Sequence, residues 1–134
     1  VALHHRSGPS AIVLTRQKLS YYAEPARARA GVKQGAYIVA DAAGHVPNVV
    51  LMASGSEVEI ALAAREQLSG HGIHARVVSC PSLELFAKQP VEYRNHVLPA
   101  GVPRVAVEAA HPMSWYRWVG DAGAIVGIET FGAS

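Results

Sequence analysis

The chain has 134 residues, of which 50% are hydrophobic and 16% charged, with a formal net charge of +2 at neutral pH. That length supports one ordinary core, the apolar content excludes disorder, and the lack of a Lys/Arg block excludes a nucleic-acid footprint, with Arg27 and Arg29 read as solvated loop residues. A single cysteine, Cys80, excludes an internal disulfide and a CxxC zinc site, and no apolar run approaches the ~18 residues of a membrane helix.

The opening residues have neither an initiator Met nor a signal-peptide pattern, and the chain starts mid-pattern as if cut from something longer. Residues 1–3 read as the last turn of a helix ending near Gly8 and Pro9. Ala11, Ile12, Val13 and Leu14 read as a buried strand closing on Thr15, Arg16 and Gln17. A polar cluster at the carboxyl end of an apolar strand is where α/β proteins place ligands. From the pattern alone, Arg16 is either a bidentate phosphate ligand or a surface arginine. Residues 19–32 show no period and contain Pro25 and Gly31, which predicts a structureless linker and a domain boundary.

The sequence GAYIVAD at 35–41 is the next predicted strand, followed by a turn through Gly44 and His45. Val49, Val50, Leu51 and Met52 then form the apolar run expected of a strand buried on both faces. The small residues Ala53, Ser54, Gly55 and Ser56 end it, and a helical pattern follows. Ser56 and Glu59 have capping-box spacing. Val58, Ala61, Leu62 and Leu68 share one helical face, and Gly70 or Gly72 supplies the stop. Residues 75–80 (ARVVSC) are a second strand. Strand, helix and strand within about 30 residues make a right-handed βαβ unit, so the fold class is α/β with a largely parallel sheet.

Beyond Cys80, which is expected to be a partly buried inert thiol, Ser82 is placed to cap a short helix that Pro90 ends. Residues 91–98 form another helix, residues 104–108 another strand, residues 112–119 a helix stopped by Gly120, and residues 124–128 the last strand.

Three further clusters are candidate sites. Ser54, Gly55 and Ser56 lie at a helix start whose free N–H groups could hold an anion, although the turn is neither GxGxxG nor a Walker loop; the alternative is close packing with a cap. Glu108 and His111 end a strand and could serve acid–base chemistry or form an ion pair. Trp115 and Trp118 share one helical face and read as a partly exposed interface. His4, His5, His71, His74 and His96 are scattered, without metal-ligand spacing.

Taken together, GPSAIVLTRQKL (8–19), GAYIVAD (35–41), LMASGSEVEIAL (51–62), ARVVSCPSLELFAKQ (75–89), EYRNHVLP (92–99), RVAVEA (104–109), WYRWVG (115–120) and GAIVGIETFGAS (123–134) resemble the C-terminal part of a transketolase. The resemblance implies an enzyme that moves a two-carbon ketol unit between sugar phosphates in the pentose phosphate pathway. It also implies thiamine diphosphate with Mg²⁺ or Ca²⁺, a homodimer and a cytoplasmic location. The implied domain is a three-layer α/β/α unit with a mixed, mostly parallel five-stranded sheet that supports dimer contacts. Residues 1–18 would be the tail of the upstream pyrimidine-binding domain, 19–34 a linker, and 35–134 the C-terminal domain, stopping short of the family's final helical segment. One family site residue maps onto the chain: Arg16, which would contact the sugar phosphate. No catalytic side chain maps here, so neither activity nor bound cofactor or metal is expected of this piece alone. Cys80 stands where the family pattern has Met. Deoxyxylulose-phosphate synthase and the 2-oxoacid dehydrogenase β subunit have related domains, and a non-catalytic dimerisation or effector-binding module is a reading of another class.

Overall fold

The computed structural model describes residues 2–20, 25–44 and 46–130. Five strands form one sheet: β1 (Tyr37–Ala40), β2 (Val49–Ala53), β3 (Ala75–Ser79), β4 (Arg104–Val107) and β5 (Ala124–Val126). Their order is β1-β3-β2-β4-β5. β2 runs parallel to β3 and β4, β4 runs parallel to β5, and β1 lies antiparallel on the β3 edge. The helices are α1 (Pro25–Gln34), α2 (Glu57–Gly70), α3 (Leu83–Ala87), α4 (Val91–Val97) and α5 (Tyr116–Val119).

The period-two alternation of strand side chains divides the core between the two faces of the sheet. Leu51, Ala53 and Val77 point to one face, where they meet Val58 and Ala61 of α2. Val50, Met52, Val78 and Ala106 point to the other, where they meet Phe86, Val97, Trp115 and Trp118. This is the expected three-layer α/β/α arrangement with a mixed sheet. Cys80 belongs to the second cluster and is 3% exposed. Burial raises its thiol pKa well above the thiol range, so thiolate is scarce at neutral pH. Iodoacetamide should therefore label the native chain at least about a hundredfold more slowly than the urea-unfolded chain; equal rates would contradict the buried assignment.

Several local expectations are corrected. Residues 25–34 are helical rather than a structureless linker: Gly31 is the one buried residue of α1, so a helix docked through glycine and alanine leaves no apolar stripe to read. Ala11 to Leu14 form no strand, and Ile12, Val13 and Leu14 are 66%, 93% and 81% exposed. The apolar pattern recorded a need for burial that no described element meets. Residues 2–4 form one 3-10 turn.

The capping box is also absent. Ser56 has helical backbone angles and makes no side-chain cap; its hydroxyl donates to Glu57 at 2.9 Å. Glu59 Oε1 instead accepts the Ser20 N–H at 2.7 Å. By contrast, Ser82 does cap α3, its Oγ accepting the Leu85 N–H at 3.3 Å. The Trp115 and Trp118 face is core, with the two residues 1% and 8% exposed. His45 and residues 131–134, the end of the family-like GAIVGIETFGAS segment, lie outside the described residues.

Candidate functional site

The chain leaves β2 through α2 toward β3, and leaves β4 through α5 toward β5 on the opposite side. The carboxyl ends of β2 and β4 therefore form the topological switch point, where open α/β sheets keep their ligand crevice. The parallel register that pairs Ala53 with Val107 brings Ser54 beside Glu108. The Ser54 hydroxyl donates to Glu108 Oε2 at 2.8 Å. Gly55, at φ +52°, turns the chain into α2; the left-handed region costs a side chain but not glycine.

Ser54, Gly55 and Ser56 thus lie together as read from the sequence, but both hydroxyls already donate to carboxylates, of Glu108 and Glu57. Glu59 adds a third acidic side chain, its pKa held below the usual glutamate range by the Ser20 hydroxyl and N–H. The dipole at the start of α2 favours an anion, whereas three carboxylates repel one, and at these distances full charges outweigh half-charges. The crevice is therefore poorly suited to a diphosphate.

Glu108 and His111 do not pair: His111 Nδ1 accepts the Met113 N–H at 3.2 Å and caps the Pro112–Ser114 turn. Among the described residues no group of three His, Cys, Asp or Glu side chains could hold a metal ion. These residues do not fit a thiamine diphosphate–metal pair. Arg16 is exposed, beside Gln17, whose N–H donates to Thr15 Oγ1 at 3.1 Å.

Two arginines that brace the domain escape the sequence reading. Arg76 of β3 and Arg104 of β4 both pair in register with Val50 of β2, so they flank it on the α4 face. Arg76 donates to the His96 and Val97 carbonyls at 2.6 and 3.2 Å and to both Asp41 oxygens at 2.9 and 3.2 Å. Arg104 donates to the carbonyls of Leu98, Pro99 and Trp118 at 3.1, 3.3 and 2.8 Å. Four consecutive carbonyls at the end of α4, which have no intrahelical partner, are thus held by two guanidinium forks. The available signal was a charged residue at the second position of one apolar strand and at the head of another.

Residues 35–134 match the sequence profile of the transketolase-like TK C-terminal domain. The chain belongs to this family. It is 47% identical over 140 aligned residues to a transketolase of Aquifex aeolicus (strain VF5) and 46% identical over 133 to transketolase 1 of Escherichia coli (strain K12), covering 100% and 98% of the chain. The chain spans 20% of the length of each of these relatives. Among solved structures, transketolase from Leishmania mexicana superposes with a TM-score of 0.71 at 48% identity, over 78% of this chain and 15% of that one. A Pichia stipitis transketolase in complex with sedoheptulose-7-phosphate gives 0.71 at 35% identity, also over 78% and 15%.

Proposed function

We propose that the chain is the C-terminal region of a transketolase, an enzyme transferring a two-carbon ketol unit from a ketose phosphate to an aldose phosphate. The observation that carries this reading is the match to transketolases along the whole chain, the first 34 residues included. In such an enzyme, thiamine diphosphate and a divalent metal, Mg²⁺ or Ca²⁺, are held by the domains preceding this one. The carboxylates that meet the Ser54 and Ser56 hydroxyls make the crevice of the present domain a poor diphosphate site, which supports that division of labour. The domain contributes packing and contacts in a cytoplasmic homodimer, and Arg16, in the stretch before the domain, takes the phosphate of the sugar. A charged, planar fork free for bidentate contact suits that task. The Pichia complex with a sugar phosphate supports the substrate class.

The test has two arms. The isolated 134-residue chain, supplied with thiamine diphosphate, Mg²⁺, xylulose 5-phosphate and ribose 5-phosphate, should show no ketol transfer. The Aquifex enzyme carrying this chain in place of its own matching region should retain it. Transfer by the isolated chain, or a folded but inactive hybrid, would refute the reading.

A further inference from the structure

A cavity of about 300 Å³ opens between α1, β1 and α4, away from the crevice at the strand ends. Gly31, Tyr37, Ile38 and Val97 give it an apolar floor. Arg27 and Gln34 reach it from α1, and Tyr93 and His96 from α4. Among the described residues no Asp or Glu lines it. The volume lies at the small end of the range for ligand pockets.

The cavity runs along the outer edge of β1, where an open ladder invites a further strand. Here that edge is occupied. Arg27 Nη2 donates to the Ile38 carbonyl at 2.8 Å, and the Tyr93 hydroxyl donates to the Ala36 carbonyl at 2.9 Å. A peptide strand would have to displace both, so β-addition is disfavoured. The same two bonds fix the side chains that wall the cavity. A guanidinium carries five N–H donors and Arg27 commits one of its nitrogens to Ile38, leaving donors for a ligand. His96 is exposed; its carbonyl accepts from Arg76, and its side chain lies within electrostatic reach of Asp41, which is itself held by Arg76 and does not line the cavity. An arginine and a histidine with no carboxylate among the described lining residues, above a floor of tyrosine and valine, ask for a small anionic head on an apolar body.

We propose that this cavity binds a small organic anion. A carboxylate or phosphate group lies against Arg27 and His96, and a ring-sized apolar body lies over Tyr37 and Val97. None of these residues has a part in ketol transfer or phosphate capture by Arg16, so the proposal stands or falls apart from the function proposed above.

The test is a ¹⁵N–¹H NMR titration of the 134-residue chain with phenyl phosphate and with phenylacetate, using benzyl alcohol as the neutral control. The expected result is saturable shifts at Gly31, Tyr37, Tyr93 and His96 with one or both anions and none with the alcohol. Arg27→Met should weaken binding at least tenfold and His96→Ala at least threefold. Phosphate-only or carboxylate-only saturation identifies the preferred head group. His96→Ala removes only an exposed ring and keeps the test decisive if R27M unfolds. No saturation, an equal response to benzyl alcohol, or unchanged affinity in the folded variants would overturn the proposal.

Discussion

Gly35→Ala should destabilise the chain by about 4 kcal/mol, lowering the thermal midpoint by roughly 12 °C. Gly35 follows the last residue of α1 and has φ +84°. It is the C′ position, where an L side chain costs about 1–2 kcal/mol. A Cβ there would also drive into the Ser82 carbonyl and the Phe86 N–H, with Leu85 Cβ at 2.8 Å. Those are backbone atoms of the α3 cap, and Ser82 N–H already donates to the Gly35 carbonyl at 2.9 Å. The strain cannot be relieved by rotating a side chain, so it adds the upper part of the overpacking range. Gly44→Ala, at φ +86° with open space around the new methyl, isolates the backbone cost and should lose only about 1–2 kcal/mol. Equal losses in the two variants would show that the packing of α1 against α3 is not as described.

Arg76→Met is the second large effect, expected to cost about 3 kcal/mol by urea titration. Methionine fills much of the space but leaves the His96 and Val97 carbonyls without their donor. It also strips Asp41 of its partner, although Asp41 is 49% exposed and can turn to water. For that reason Asp41→Asn should cost much less than R76M. The pair also has a pH signature. Burial pulls the Asp41 pKa upward, but the Arg76 hydrogen bond, the Ala42 N–H and the Arg76 and His96 charges outweigh it. The folded value therefore lies below the ordinary 3.8. A depressed carboxylate pKa stabilises the fold above the unfolded value, and that contribution is lost as pH falls through the folded one. Wild type should thus lose stability on acidification below 3.8, and R76M should lose less over the same interval. Parallel acid profiles would contradict the ion pair.

The elements legible in the sequence were those whose burial is written as an apolar run. Residues 49–52 and 75–80 were read as strands because both of their faces are covered, and β-branched residues fill them. Of the two glycines offered as the stop of α2, Gly70 is its last residue and Gly72 takes the positive φ just beyond it, as Gly120 does after α5. What escaped depended on partners distant in the chain. The edge place and antiparallel direction of β1 are set by its pairing with β3, which no local period records. Helix α1 docks through Gly31 and so shows no stripe. Ser56 and Glu59 have the spacing of a capping box, but Ser20, 39 residues away in the chain, takes Glu59, and the adjacent Glu57 takes the Ser56 hydroxyl. The aromatic helix was misjudged because i, i+3 spacing says that Trp115 and Trp118 share a face, not what lies against it. Phe86 does, with its ring centroid 5.0 Å from that of Trp118. At the candidate site, the Ser54–Ser56 turn was visible as small residues after a strand. That the Ser54 hydroxyl meets the Glu108 carboxylate follows only from the β2–β4 register.

Steady-state ketol transfer by the Aquifex hybrid with Arg16 and with Arg16→Ala tests directly whether this arginine takes the substrate phosphate. One charge-assisted contact is worth on the order of 1.5–3 kcal/mol, so KM for the phosphorylated donor should rise roughly ten- to a hundredfold with kcat little changed. A non-phosphorylated donor such as hydroxypyruvate should be used equally well by both. An unchanged KM for the phosphorylated sugar, or an equal loss with both donors, would contradict the assignment of Arg16 to the substrate phosphate.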